Sequence, residues 1–167
     1  MNYHNIYHDD LKNGMGLRVV VFLSGCSHNC KNCHNPQTHD PKSGITFDKN
    51  AVDEIDYYLS KPYTKGITLS GGDPLFKDNL SDVKDLILHI KNKFPEKDVW
   101  MYTGYTWEEL LKDNERAEII KLCDVVVDGP FIESLADENY EWAGSTNQRI
   151  IDVKKSLASN EIILNKK

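Results

Sequence analysis

The sequence predicts an α/β protein with a mostly parallel sheet, and three observations carry that expectation. Short β-type runs alternate with amphipathic helical stretches along the chain. The first such run is nearly continuous in apolar character, as a strand buried on both faces requires. No repeat, low-complexity segment or Gly-, Pro- or Ser-rich linker breaks the alternation, and a length of 167 residues suits one domain spanning 1–167.

The elements follow in order. Leu17 to Leu23 (L-R-V-V-V-F-L) reads as the first strand, rich in β-branched residues. Ala51, Val52, Ile55 and Leu59 recur at helical spacing. Gly66 to Ser70 is a second strand. Leu80, Val83, Leu86, Ile87, Ile90 and Phe94 mark the clearest amphipathic helix, and Pro95 closes it. Val99 to Tyr102 is a third strand. Thr106 with Glu109 forms a capping box that opens a helix through Leu110 and Leu111. Asp124 to Asp128 is a fourth strand and Arg149 to Val153 a fifth. Pattern alone leaves the sheet open or partly closed. In either form, ligands sit at the loops after the C-terminal strand ends.

Composition excludes several function classes. Hydrophobic residues make up 40% and charged residues 28% of the chain, enough for a core and unlike a disordered protein. Lys plus Arg is 20 against 26 Asp plus Glu, a formal net charge of −6. That balance argues against nucleic acid or an anionic membrane as partner. Met1-Asn2-Tyr3-His4-Asn5 has neither the cationic start nor the apolar stretch of a signal peptide, so a cytoplasmic protein is expected. Asn79-Leu80-Ser81 matches a glycosylation sequon that has no meaning without export. His4 and His8 are expected at the surface, and Lys154-Lys155 and Lys166-Lys167 read as solvated charge.

Three of the four cysteines, Cys26, Cys30 and Cys33, fall within eight positions, while Cys123 stands apart. Clustered thiols point to metal or redox chemistry rather than to a disulfide framework. The segment 24–36 begins where the first predicted strand ends, and its spacing is C-x₃-C-x₂-C. Such a loop can wrap three thiolates around an iron–sulfur cubane, leaving the fourth iron of a [4Fe–4S] cluster without a protein ligand. The alternative is zinc held by Cys26, Cys30, Cys33 and one of His28, His34 or His39. Structural zinc sites usually join two separated ligand pairs, and there is no second pair here. Cys123, beside the apolar run Val125 to Val127, reads as a core thiol.

Two further segments fall at strand ends. In Ser70-Gly71-Gly72-Asp73-Pro74 the paired glycines permit close backbone approach, and their carbonyls with the Asp73 carboxylate are suited to accept from an ammonium group; taken alone the segment is a turn. Tyr102-Thr103-Gly104-Tyr105 ends the third strand on the same edge.

C-x₃-C-x₂-C on the loop after the first strand of a β/α chain resembles the radical S-adenosylmethionine (radical SAM) superfamily. The likeness extends through Asn13-Gly14-Met15-Gly16-Leu17-Arg18, Ser24-Gly25-Cys26, Cys33-His34-Asn35-Pro36, Ser70-Gly71-Gly72-Asp73-Pro74, Asp128-Gly129-Pro130-Phe131 and Gly144-Ser145-Thr146-Asn147-Gln148-Arg149. With these segments the chain resembles the activating proteins of anaerobic, class III ribonucleotide reductases from Met1 to about Val153.

The resemblance implies a partial, open β/α barrel of the radical SAM type. It implies a [4Fe–4S] cluster on Cys26, Cys30 and Cys33, with S-adenosylmethionine chelating the open iron. The adenine contacts would come from the backbone of Asn32, Cys33 and His34, and the methionyl amine would be gripped by Ser70, Gly71, Gly72 and Asp73. Asn32 departs from the aromatic residue that many superfamily members place before the third cysteine. The implied reaction is reductive cleavage of the C5′–S bond, followed by hydrogen abstraction from a glycine of the reductase large subunit. A flavodoxin-type protein is the implied reductant. Two other functions compete: a small radical SAM enzyme acting on a small molecule, such as a carboxy-deazaguanine synthase, and a non-catalytic metal-binding or electron-transfer module.

Overall fold

The computed structural model describes residues 1–165; Lys166 and Lys167, expected to be solvated, lie outside the described residues. One seven-stranded sheet organises the chain, in the order β3-β1-β2-β4-β5-β6-β7, and its two ends do not meet. Its strands are β1 (Asn2–Asp10), β2 (Arg18–Leu23), β3 (Ile45–Thr46), β4 (Gly66–Gly71), β5 (Asp98–Tyr102), β6 (Val125–Asp128) and β7 (Arg149–Asp152). The four central strands β2, β4, β5 and β6 pair in parallel. They are joined through α1 (Lys49–Leu59), α2 (Leu80–Lys93), and the short pair α3 (Trp107–Leu111) and α4 (Asn114–Ile120). The last helix, α5, is Val153–Ser159.

Two features depart from the sequence expectation. The run Leu17 to Leu23 is the second strand, because β1 precedes it as an antiparallel neighbour. Asn2–Asp10 is polar and half exposed along its length, so it lacks the apolar run that marks a buried strand. It holds His4 and His8, whose i, i+4 spacing therefore has no helical meaning. At the other end, β7 pairs antiparallel with β6. The segment 129–148 between them contains no α-helix to carry the chain back across the sheet.

Strand alternation sorts the core into two faces. Val19, Val21, Leu23, Ile67, Leu69, Val99, Met101 and Val126 form one cluster with helix residues such as Ile55, Ile87, Leu110 and Ile120. Trp100, Val125, Val127 and Ile150 point the other way, against Met15, Tyr140 and Trp142 from loops. The helices therefore cover one face of the sheet, and loops close over the other. At the N-terminal end of that second face lies Arg18, fully buried. Its guanidinium donates to Thr68 Oγ1 at 2.8 Å, to Met15 O at 2.9 Å and to Ile67 O at 2.8 Å, and pairs with Asp98 at 2.6 Å. The segment Asn13-Gly14-Met15-Gly16 thus wraps a buried arginine and plugs this end. The opposite end, at the C-terminal edges of the parallel strands, stays open.

Candidate functional site

The cysteine loop starts at that open end, and its root is pinned from several sides. Ser24 N donates to Asn2 O at 2.9 Å, Gly25 N to Thr38 O at 2.7 Å and Cys26 N to His39 O at 3.1 Å. Asn79, the residue of the apparent sequon, is buried, and its Nδ2 donates to Ser24 O at 2.8 Å. Further along the loop the backbone turns left-handed at Asn29 (φ 51°) and Asn32 (φ 55°). Asparagine is among the few non-glycine residues that populate this region readily.

Cys26, Cys30 and Cys33 line one cavity of about 890 Å³, together with Ser70, Gly71 and Gly72 at the end of β4. All three thiols are partly exposed. Burial pushes the Cys26 thiol up to about 11. Asn35 N donates to the Cys33 sulfur at 3.4 Å. Donors aimed at a sulfur stabilise its thiolate and tune a cluster held by it. Cys123 is different. It is fully buried just ahead of β6, at the N-terminal edge of the sheet, with its thiol donating to Ile119 O at 3.6 Å. Burial pushes that thiol up to about 12.

The donor set fits an iron–sulfur cluster with three protein ligands, as one loop brings three thiols to one cavity wall and the fourth lies at the opposite sheet edge. The histidines of the zinc alternative are placed otherwise. His28 bonds Asp73, and the His34 ring packs on Phe131 with centroids 4.6 Å apart.

The residues proposed from the sequence divide here. His34, Ser70, Gly71 and Gly72 face the cavity with the cysteines. Asn32 directs its side chain outward, donating from Nδ2 to Glu133 Oε1 at 2.7 Å. Asp73 is 1% exposed and sits beneath the loop, both of its oxygens engaged by protein donors. The glycine pair is also required for packing. A Cβ on Gly72 would come within 2.5 Å of Gly25 O and 2.8 Å of Thr38 O, both backbone atoms of the cysteine loop. Gly72 thus lets the β4 end and the loop root lie in direct contact.

Segment 129–148 roofs the site. Phe131 meets His34, Glu133 holds Asn32, and Tyr102 donates its hydroxyl to Trp142 O at 2.5 Å. Gln148 ties the segment to itself, donating to Gly129 O at 3.0 Å and accepting from Gly144 N at 2.9 Å. Asp128 lies below, accepting from Trp107 N at 2.8 Å and pairing with Arg149 at 2.6 Å. Of the D-G-P-F segment, then, Gly129 and Phe131 border the cavity while Asp128 anchors α3 and β7. Sequence reasoning missed Asn79 and the Asp73–His28 bond. The first carries no local signal, and the second joins residues 45 positions apart.

Comparison with known proteins points to an iron–sulfur protein. A family model described as a 4Fe-4S single cluster domain matches residues 12–151. An anaerobic ribonucleoside-triphosphate reductase-activating protein of Enterobacteria phage T4 is 42% identical over 150 residues, covering 90% of this chain and 93% of the relative. The protein of the same name from Vibrio cholerae is 43% identical over 152 residues, covering 90% and 97%. That of Escherichia coli K12 is 41% identical over 150 residues, covering 89% and 96%. With a cluster-domain match across most of its length and relatives this similar over nearly their whole chains, the chain belongs to the family of anaerobic ribonucleoside-triphosphate reductase-activating proteins.

Proposed function

We propose that this protein is a radical SAM activase, which uses a reduced [4Fe–4S] cluster and S-adenosylmethionine to place a glycyl radical on an anaerobic ribonucleotide reductase. The observation that carries the reading is the convergence of Cys26, Cys30 and Cys33 on one large cavity at the open end of the parallel strands, with Cys123 at the far edge. When bound, such a cluster would supply the single electron needed for reductive cleavage of the C5′–S bond of S-adenosylmethionine, the chemistry that yields the glycyl radical.

The chain's own residues supply position and shelter. Cys26, Cys30 and Cys33 would hold three irons, and the Asn35 N–H on the Cys33 sulfur favours its thiolate. Gly71 and Gly72, facing the cavity, offer backbone groups to the methionyl moiety. The backbone at His34 and the Phe131 ring border the space for the adenosyl group. Segment 129–148 covers one side of that space and limits the access of water to a reactive carbon radical.

The helices on one sheet face, with the cavity on the other, support a partial β/α barrel forming a single domain over 1–167. No helix of the described residues is long and apolar enough to cross a membrane. A flavodoxin-type protein is the proposed electron donor. The alternatives of a small-molecule enzyme or a non-catalytic module are not favoured by relatives named as activating proteins.

The test is anaerobic reconstitution with iron and sulfide, followed by reduction and addition of S-adenosylmethionine. The expected products are 5′-deoxyadenosine and, once an anaerobic reductase is added, the doublet electron paramagnetic resonance signal of a glycine-centred radical. An intact cluster that yields no 5′-deoxyadenosine overturns the proposal.

A further inference from the structure

We propose that Asp73 and His28 form a positioning pair for the cluster: the buried carboxylate holds the imidazole, and through it the turn that carries Cys26 and Cys30. The inference rests on the cluster reading of the site. The turn needs such a hold. After Cys26 N, which donates to His39 O at 3.1 Å, no backbone hydrogen bond among the described residues ties Ser27, His28 or Asn29 to the body of the protein. The His28 side chain does so instead. Its Nε2 donates to Asp73 Oδ2 at 2.5 Å, and its ring stands edge-on to Tyr105 with centroids 4.5 Å apart. The ring lies directly over Gly104, where a Cβ would come within 2.5 Å of it. A glycine is thus needed to seat this imidazole.

The acceptor is rigid. Asp73 Oδ1 accepts from Leu75 N at 2.9 Å; Oδ2 accepts from Gly104 N at 2.9 Å and from Thr103 Oγ1 at 3.0 Å. Tyr105 is backed in turn by Arg116, whose guanidinium lies 4.4 Å from the ring centroid while its Nε donates to Leu75 O at 2.9 Å. The arrangement joins the β4 end, the β5 end and α4 beneath the turn. Asp73 therefore serves the loop, while Gly71 and Gly72 of the same segment face the cavity. An amide cannot take its place without loss. It presents one oxygen, whereas both Asp73 oxygens receive donors, so Asn at this position sets an N–H against another N–H. Because this turn carries two of the cluster's ligands, its set also bears on cluster potential.

The test uses the reconstituted chain and reads cluster retention and reduction potential, neither of which requires radical chemistry. His28→Ala is expected to lower the melting temperature of the cluster-free chain only modestly, since Asp73 keeps its donors from Leu75, Thr103 and Gly104. With the cluster, it should lose iron to a chelator about tenfold faster, the scale of a lost supporting contact to a metal ligand, and show a displaced midpoint potential. His28→Gln, whose amide N–H reaches toward Asp73, should recover most of the retention. The double variant His28→Ala/Asp73→Asn should lose iron no faster than Asp73→Asn alone, because both changes break one unit. Wild-type retention and potential in His28→Ala, or additive effects in the double variant, overturn the pair. A wild-type chain that takes up no cluster overturns the reading of the whole site, a separate result.

Discussion

Cys26, Cys30 and Cys33 look alike in the sequence, but their surroundings differ. The Cys26 thiol is half-buried, the Cys33 sulfur receives an N–H from Asn35, and the Cys123 thiol lies fully buried and donates to a helix carbonyl. Replacing Cys26, Cys30 or Cys33 singly with Ser should abolish stable cluster binding, read as iron and sulfide per chain after anaerobic reconstitution. Cys123→Ser should keep full iron content. Its cost is confined to stability, about 1–3 kcal/mol for a hydroxyl in an apolar site. Loss of iron in Cys123→Ser would show that this thiol reaches the cluster after all. At this scale the sequence was informative, since the loop spacing marked all three thiols. It was silent on Asn79, whose amide is spent on Ser24 O and whose neighbours make it look like a surface sequon.

At the scale of elements, the short helices α3 and α4 depend on their termini more than on length. Thr106 accepts from Glu109 N at 3.2 Å, and Glu109 returns a bond to Thr106 N at 3.0 Å, the capping box expected from the sequence. Asp113 accepts from Arg116 N at 3.2 Å. The Thr106 N–H and hydroxyl hold the Glu109 carboxyl below its usual range, the Arg116 N–H does the same for Asp113, and the Arg149 guanidinium does so for Glu108. A carboxyl depressed in the folded state adds stability above its unfolded value near 4, and that stability is lost as pH falls through the folded value. The melting temperature of the cluster-free chain should therefore hold from pH 6 down to about pH 4.5 and fall below that. In Thr106→Ala the acid slope should be shallower and the neutral-pH stability lower by about 1 kcal/mol. An unchanged slope in this variant would remove the capping box as its source. β1 shows where element-level reading stops. Its half-exposed, polar residues pair with β2 through backbone bonds, and backbone bonding leaves no mark on side-chain pattern.

Over the whole molecule, one end of the loop-covered sheet face is plugged and the other is open. Arg18 makes the plug. Burial pushes its guanidinium down and the Asp98 carboxyl up, each countered by the other's charge. Arg18→Ala leaves Asp98 without its partner, as well as Thr68 and two backbone carbonyls without a donor. Chemical denaturation of the cluster-free chain should show a loss of about 3–5 kcal/mol, as for breaking a buried pair on one side. A loss below about 1 kcal/mol would show that solvent replaces the arginine, and that the plug is not closed. The N-G-M-G-L-R segment thus has a structural role in seating Arg18, while Asn13 at its start also lines the cavity.

The sequence by itself determined the clustering of three thiols in one loop, the alternating elements and the strand edge where that loop lies. Each of these is written in residues within a few positions of one another: three thiols in one loop, apolar periodicities of two and 3.6, and a turn after each strand. Tertiary structure alone decided that the helices share one sheet face, that 129–148 roofs the cavity, and that Asp73 turns to His28 while its neighbouring glycines face the cavity. Those outcomes are contacts across long separations, 45 positions for His28 with Asp73 and 101 for Asn32 with Glu133. A side chain with several acceptable partners takes the one that packing brings within reach, and local pattern carries no record of that choice.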